Sequence, residues 1–207
     1  VPNNKYGIHI ADVNDITELP ALLNSNGGDW GYVTLVIPDT DRDTGKWQGI
    51  MNSMRRLHLI PIVRLATHVE GDSWKKPTPQ EAEDWTLFLS RLNWPIENRY
   101  VVLFNEPNHA KEWGNSINPD EYAKVIVAFA KSLKVASEDF FILPAGLDAS
   151  AASDNQSLDE ATFIANMKSA QPDFFTYLDG WTSHAYPNPG FSGSPYATGR
   201  GTLRTYQ

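Results

Sequence analysis

The sequence has no cysteine, which excludes disulfides, thiolate metal centres and cysteine nucleophiles and leaves the redox compartment unassigned. It is also poor in basic residues. Against 25 Asp and Glu there are 17 Lys and Arg, a net charge of −8, so no nucleic-acid partner is expected, because binding phosphate chains needs a basic face. No apolar run approaches the roughly 20 residues that cross a bilayer, so no membrane span is expected. A Walker-type GxxxxGK[ST] is missing, and the first apolar run leads into Ala11-Asp12-Val13-Asn14 and not into a glycine-rich phosphate turn. Nothing therefore calls for a nucleotide or another cofactor. The chain opens on Val1-Pro2 without an initiator Met or a signal-like segment. The expectation is a trimmed chain or a mature secreted or cell-envelope form.

What is present is the composition of one globular domain over residues 1–207, with 41% apolar and 20% charged residues. Seven Trp and eight Tyr supply flat amphipathic rings, which pack in cores and also stack on the apolar faces of sugars.

Apolar, β-branched runs recur and alternate with helix-period segments. The expected strands are Tyr6–Ile10, Tyr32–Ile37, Ile60–Ala66, Tyr100–Phe104, Phe140–Pro144 and Gly180–His184. The expected helices are Ile16–Leu23, Trp47–His58, Pro79–Leu92, Pro119–Ala136 and Asp159–Gln171. The Pro119–Ala136 segment is the best defined, with Asn118 to cap it and Pro119, Asp120 and Glu121 in its first turn. Its apolar positions Tyr122, Val125, Ile126, Phe129, Ala130 and Leu133 share one face. Strand–helix alternation implies right-handed crossovers and a parallel sheet, and without a phosphate loop the closed (β/α)8 TIM barrel is favoured over the open nucleotide-binding sheet. Six units are visible. At roughly 35 residues each, eight need about 280, so the expectation is that the last two units lie outside the chain or on a partner chain. Strand edges at Tyr6–Ile10 and Gly180–His184 would then be open to pairing.

Such barrels carry their sites at the C-terminal strand ends. The fourth expected strand runs directly into Asn105-Glu106-Pro107-Asn108-His109. A carboxyl leaving an apolar strand has a low-dielectric wall, and desolvation favours the protonated form that a general acid needs. The Asn105 amide suits a sugar hydroxyl, and Pro107 biases Glu106 away from helical geometry. Asn105-Glu106-Pro107 in this position resembles the acid/base motif of the clan A retaining glycoside hydrolases. Two further positions are similar to that group: Arg64 in Ile62-Val63-Arg64-Leu65, and His184 and Tyr186 in His184-Ala185-Tyr186-Pro187. Within the clan, family 39-like and family 5-like enzymes look nearest.

The resemblance implies hydrolysis of a β-linked glycan, with Glu106 as acid/base. It also implies Asn105, Arg64, His184, Tyr186, His109 and Trp181 around an oligo- or polysaccharide. It places the nucleophilic Glu on a seventh strand, beyond Gln207. No acidic residue of the chain takes that role; Asp148, after the fifth strand, is on the correct face but not at the family's position. Two other readings stand beside this one. The first is a non-catalytic carbohydrate-binding barrel or interaction module. The second is a metal-dependent barrel hydrolase, for which His9, His68, His109 and His184 lie near strand ends and Asp12 follows His9. Trp113 is an aromatic-platform candidate, the loop Thr67–Thr78 with Glu70, Asp72 and Trp74 a specificity candidate, and Pro187–Gly201 a rim segment. Asn155-Gln156-Ser157 matches an N-glycosylation pattern.

Overall fold

A computed structural model describes residues 5–25 and 27–186. In chain order the strands are β1 (Gly7–His9), β2 (Gly31–Pro38), β3 (Leu59–Ala66), the hairpin β4 (Val69–Glu70) and β5 (Ser73–Trp74), β6 (Arg99–Leu103), β7 (Phe140–Pro144), β8 (Leu147–Asp148) and β9 (Ser183–His184). The helices are α1 (Leu19–Leu23), α2 (Thr44–Arg56), α3 (Ala82–Ser90), α4 (Pro119–Ala136) and α5 (Glu160–Ala170). Strands β1-β2-β3-β6-β7 form one parallel sheet whose spatial order follows the chain order. An open dinucleotide sheet reverses its order at a switch point; consecutive parallel strands are the staves of a barrel. The fold is a partial α/β barrel.

Alternation along β2 shows how the wall is built. Val33, Leu35 and Ile37 are wholly buried in the main core, while Tyr32, Thr34 and Val36 between them are half-buried. The half-buried set faces the concave side. There the ring of Tyr32 meets that of Tyr100 on β6 at 6.0 Å, and Tyr100 meets Phe141 on β7 at 5.0 Å. On the convex side, α4 buries Tyr122, Val125, Ile126, Phe129, Ala130 and Leu133, the face read from its spacing. The Asn118 side chain accepts from Glu121 N at 3.0 Å.

Three expected elements differ in form. A single helix over Ile16–Leu23 is instead a 3-10 turn, Val13–Thr17, followed by α1. Pro20 has no N–H to bond the carbonyl four residues back, so it is tolerated only where a helix begins. Helix α2 starts at Thr44, three residues early, because the Asp43 carboxylate accepts from Lys46 N at 2.7 Å. The sixth strand, expected over Gly180–His184, pairs only at Ser183 and His184, and with β8. Before that, Asp179 Oδ2 accepts from Ile142 N (2.7 Å), and Thr182 Oγ1 donates to the Pro144 carbonyl (2.5 Å). With one backbone bond, from Asp179 N to the Ile142 carbonyl (2.9 Å), these two side chains stand in for most of a ladder along β7. A Cβ at Gly180 would come within 2.8 Å of Leu143 Cδ2, so this close approach needs glycine. The segment Pro187–Gly201 lies outside the described residues. No helix among the described residues is long and apolar enough to cross a membrane.

Under the C-terminal strand ends sits the hydroxyl of Tyr122. It donates to the Leu103 carbonyl (3.2 Å) and accepts from Ala145 N (2.6 Å), tying the end of β6 to the residue after β7. The group is buried, and burial pushes its pKa well up, so it stays a neutral donor. Tyr122→Phe keeps the ring packing but leaves a buried N–H unpaired. A loss of about 1–3 kcal/mol is expected in urea unfolding, and a change below a few tenths would show that the bridge contributes nothing.

Candidate active site

The C-terminal strand ends open into a cleft of about 830 Å³ lined by residues from β1, β3, β8, β9 and the loop after β6. Of the residues singled out from sequence, Arg64, Asn105, Glu106, His109, His184 and Tyr186 all line it. Trp181 does not. It lies beside Phe175, ring centroids 5.6 Å apart, and is partly exposed away from the cleft. Trp113 is fully buried, edge-on to Phe104 and Tyr122, with Nε1 donating to Glu121 Oε2 at 3.1 Å. It is a core residue, not a sugar platform.

The chain leaves β6 in an unusual conformation. Phe104 has φ +76° and Glu106 φ +31°, values that side-chain-bearing residues rarely adopt. Between them Asn105 turns its amide sideways. Its Oδ1 accepts from Arg64 Nη1, and its Nδ2 donates to Glu112 Oε2 at 3.0 Å. Arg64, in the middle of β3, therefore fixes which way the amide points. One Nδ2 hydrogen and one Oδ1 lone pair remain for a ligand. Burial lowers the Arg64 pKa, while the Glu112 and Glu106 carboxylates oppose that shift.

The Glu106 carboxylate is held from the opposite wall. His184 Nδ1 lies 2.5 Å from Glu106 Oε1. The imidazole is seated over Gly146, where a Cβ would fall 2.5 Å from His184 Cδ2. Because β8 and β9 pair Asp148 with His184, one short ladder also places the second polar pair of the cleft. His109 Nε2 lies 2.9 Å from Asp148 Oδ2. Burial alone raises the Asp148 pKa, but donation from the Ser150 hydroxyl and N–H and from His109 outweighs it and leaves the carboxyl below its usual range. His9 completes this wall; burial, then the charges of Arg64 and His184, lower its pKa and favour the neutral ring.

Beneath these loops lies Asn108, fully buried. Its Nδ2 donates to the carbonyls of Asp148 and Leu158, both at 3.1 Å, and its Oδ1 accepts from Asp148 N at 3.2 Å. With the bridge between His109 and Ser157, it joins the loop after β6 to the loop before α5. His68 lies outside the cleft, bonded to Asp39 through Nδ1 at 3.0 Å. Among the described residues no three His, Asp or Glu converge as metal ligands would; His109 and His184 each face a carboxylate of their own.

Three residues that line the cleft, Lys111, Glu112 and Gln156, are not expected there from the sequence. Glu112, closing the 3-10 turn Ala110–Glu112, lies in the cleft beside Asn105. Burial pushes its pKa up; the Asn105 amide holds it back and the charge of Glu106 adds to the rise. No spacing rule marks it, since its place depends on the turn that follows Glu106.

No protein-family model and no curated protein sequence matches this chain. Solved structures do. A GH39 enzyme from Xanthomonas axonopodis pv. citri superposes with a TM-score of 0.57 at 14% identity, over 93% of this chain and 44% of its own. The monomeric beta-xylosidase of Caulobacter crescentus CB15 gives 0.57 at 12% identity, over 80% of this chain and 38% of its own. The mannanase catalytic domain of Streptomyces sp. SirexAA-E gives 0.53 at 22% identity, over 90% and 58%. This chain has the TIM-barrel fold of these glycoside hydrolases, and spans about half the length of the chains it matches.

The raised pKa of Glu112 has a consequence for stability. A carboxyl that binds its proton more tightly when folded supports the fold below the ordinary Glu value of 4.5, and that support is lost as pH rises through the folded pKa. Glu112→Gln keeps an acceptor for Asn105 without that loss. In denaturant titrations across pH 4 to 8, the variant is expected to gain stability relative to the parent as pH rises. A pH-independent difference would show that the carboxyl is not shifted.

Proposed function

We propose that this chain carries the acid/base half of a retaining glycoside hydrolase site acting on a β-linked glycan, with Glu106 as the proton-transferring residue. The observation that carries the reading is the placement of Glu106. It stands at the C-terminal end of a parallel barrel strand, inside the 830 Å³ cleft, braced by His184 and flanked by the Arg64–Asn105–Glu112 chain. The barrel neighbours, a xylosidase and a mannanase among them, point to a polysaccharide of the xylan or mannan kind.

In this reaction a second carboxylate attacks the anomeric carbon. As the glycosidic C–O bond breaks, Glu106 gives its proton to the leaving oxygen, so that the departing sugar leaves as an alcohol. Glu106, now ionised, then takes a proton from water as that water opens the glycosyl ester. In a retaining enzyme the two carboxyl groups stand about 5–5.5 Å apart, and the resemblance puts the second on a seventh strand. Within the described residues, His184 orients Glu106 through Nδ1, and Tyr186 beside it, rings 5.8 Å apart, offers an apolar face to the sugar. Asn105, locked by Arg64, presents its remaining Oδ1 lone pair to a ring hydroxyl. His109 and Asp148 form a polar rim opposite.

Leaving-group dependence tests the assignment. In the complete gene product, Glu106→Gln is expected to slow hydrolysis of an unactivated β-linked oligosaccharide by about 10²–10⁴-fold. The loss should be much smaller on a dinitrophenyl β-glycoside, whose leaving group needs no proton. An unchanged rate on the oligosaccharide would remove Glu106 from the role. Oligosaccharide binding with no turnover of either substrate by the parent protein would assign a non-catalytic sugar-binding barrel instead.

A further inference from the structure

Beside the main cleft lies a second, smaller space of about 100 Å³. The two share Arg64, Asn105 and Glu112 in their linings, so they meet at these side chains. Away from that junction the small space is walled by apolar side chains, Val36, Ala66, Trp74 and Pro77 among them, and by Thr67, whose hydroxyl is already engaged by the Lys75 carbonyl. Trp74 is brought there by the β4–β5 hairpin, which is fastened at its base. Lys75 N donates to the His68 carbonyl at 2.9 Å, Thr67 Oγ1 donates to the Lys75 carbonyl at 2.6 Å, and the Trp74 carbonyl accepts from Gly114 N at 2.9 Å. The pocket is therefore a built feature of the barrel rim.

Its size and polarity narrow what fits. A space of this volume takes only a few heavy atoms, far fewer than a sugar ring. Its far end is apolar, which disfavours a hydroxyl or a charge. Its mouth is polar: the Asn105 amide and the Glu112 carboxyl face the cleft side, and burial of Glu112 favours the form that donates a hydrogen bond. A carbonyl at the mouth with a methyl group behind it satisfies both ends.

We infer that this side pocket is a subsite for an acetyl substituent on the sugar bound in the cleft, with the methyl against Trp74, Pro77 and Ala66 and the carbonyl at Asn105 and Glu112. The inference rests on the glycan reading of the cleft and adds to it the class of substrate: a decorated, acetylated polysaccharide chain. Ester and amide acetyl groups share this chemistry, and separate ligands distinguish them.

The test is calorimetric binding to the complete protein. Acetylated xylo- and manno-oligosaccharides are compared with their saponified forms, and chitotetraose with cellotetraose for the amide. Burying one methyl group is worth about fourfold in Kd, so at least one acetylated ligand is expected to bind about fourfold or more tightly than its unsubstituted partner. Ala66→Leu, which fills the pocket, should erase that preference while leaving the unsubstituted ligand within about twofold. Trp74→Ala, at a partly exposed position that the fold tolerates, should weaken the preference by removing the apolar wall. Equal binding of all matched pairs, or a preference that survives both substitutions, overturns the subsite and leaves the glycan reading of the cleft intact. Binding of none of the ligands overturns both.

Discussion

The hydroxyl of Tyr122 is the fixed point from which the site can be traced. A phenol reaching from α4 into the gap between two strand ends holds Leu103 and Ala145 at a set separation. From Leu103 the chain turns through Phe104 into Asn105 and Glu106. From Ala145 it passes Gly146 into β8, which carries Asp148 and pairs with His184. Both sides of the Glu106–His184 contact thus start from atoms bonded to one oxygen. The packing of α4 against the sheet and the geometry of the cleft are not separate matters: the helix face read from apolar spacing delivers the atom that sets the carboxylate.

Charge in the cleft is arranged in short chains and not as a field. Arg64, Asn105 and Glu112 form one chain, His184 and Glu106 a second, and His109 and Asp148 a third. Burial raises the pKa of both Asp148 and Glu112 and hydrogen bonding lowers it, but at Glu112 burial and the Glu106 charge outweigh the hydrogen bonding. Asp148, with two donations from Ser150 and one from His109, is held toward the ionised form, whereas Glu112, with a single neutral amide and a neighbouring carboxylate, is held toward the protonated one. Glu112 is the more deeply buried and has the fewer donors, and both differences push its pKa up while that of Asp148 is drawn down. A cleft with acids biased both ways at one pH can present a hydrogen-bond donor and an acceptor to the same ligand.

Much of this was legible in the residues. Strands covered by helices read as apolar runs, and β2, β3, β6 and β7 were placed within a residue or two of their ends. Glu106 stands out in the sequence because a carboxyl directly after such a run has a low-dielectric wall, and the structure sets it in the cleft. The signals failed where geometry depends on partners distant in sequence. The expected sixth strand is longer than the observed one because the 179–182 segment meets β7 through a single backbone bond and the side chains of Asp179 and Thr182, and hydropathy does not distinguish that from a ladder. Glu112 was overlooked since its burial follows from the conformation of the turn after Glu106. Trp181 stands apart from the cleft lining because aromatic content says nothing about which way a ring faces, and its neighbour Phe175 comes from a 3-10 turn (Phe174–Tyr177) that the periodicity does not show. The 3-10 start before α1 was readable, had the position of Pro20 been weighed.

Asn108 has a bearing on how such a site can diversify. One buried amide satisfies backbone groups of two different loops at once, so a residue inserted into either loop would leave donors or acceptors of the other without partners. The two rim segments that carry His109 and Asp148 can vary in the identity of their side chains but scarcely in their length. The hairpin at 69–74 is fastened at its base and, through the Asn115 Nδ2–Asp72 Oδ1 bond (2.6 Å), at its turn, but exposed positions such as Val69 can change their side chains without touching Glu106 or His184. Variation in what the cleft admits would accumulate on its Trp74 side, while the Asn108 side stays a constant frame.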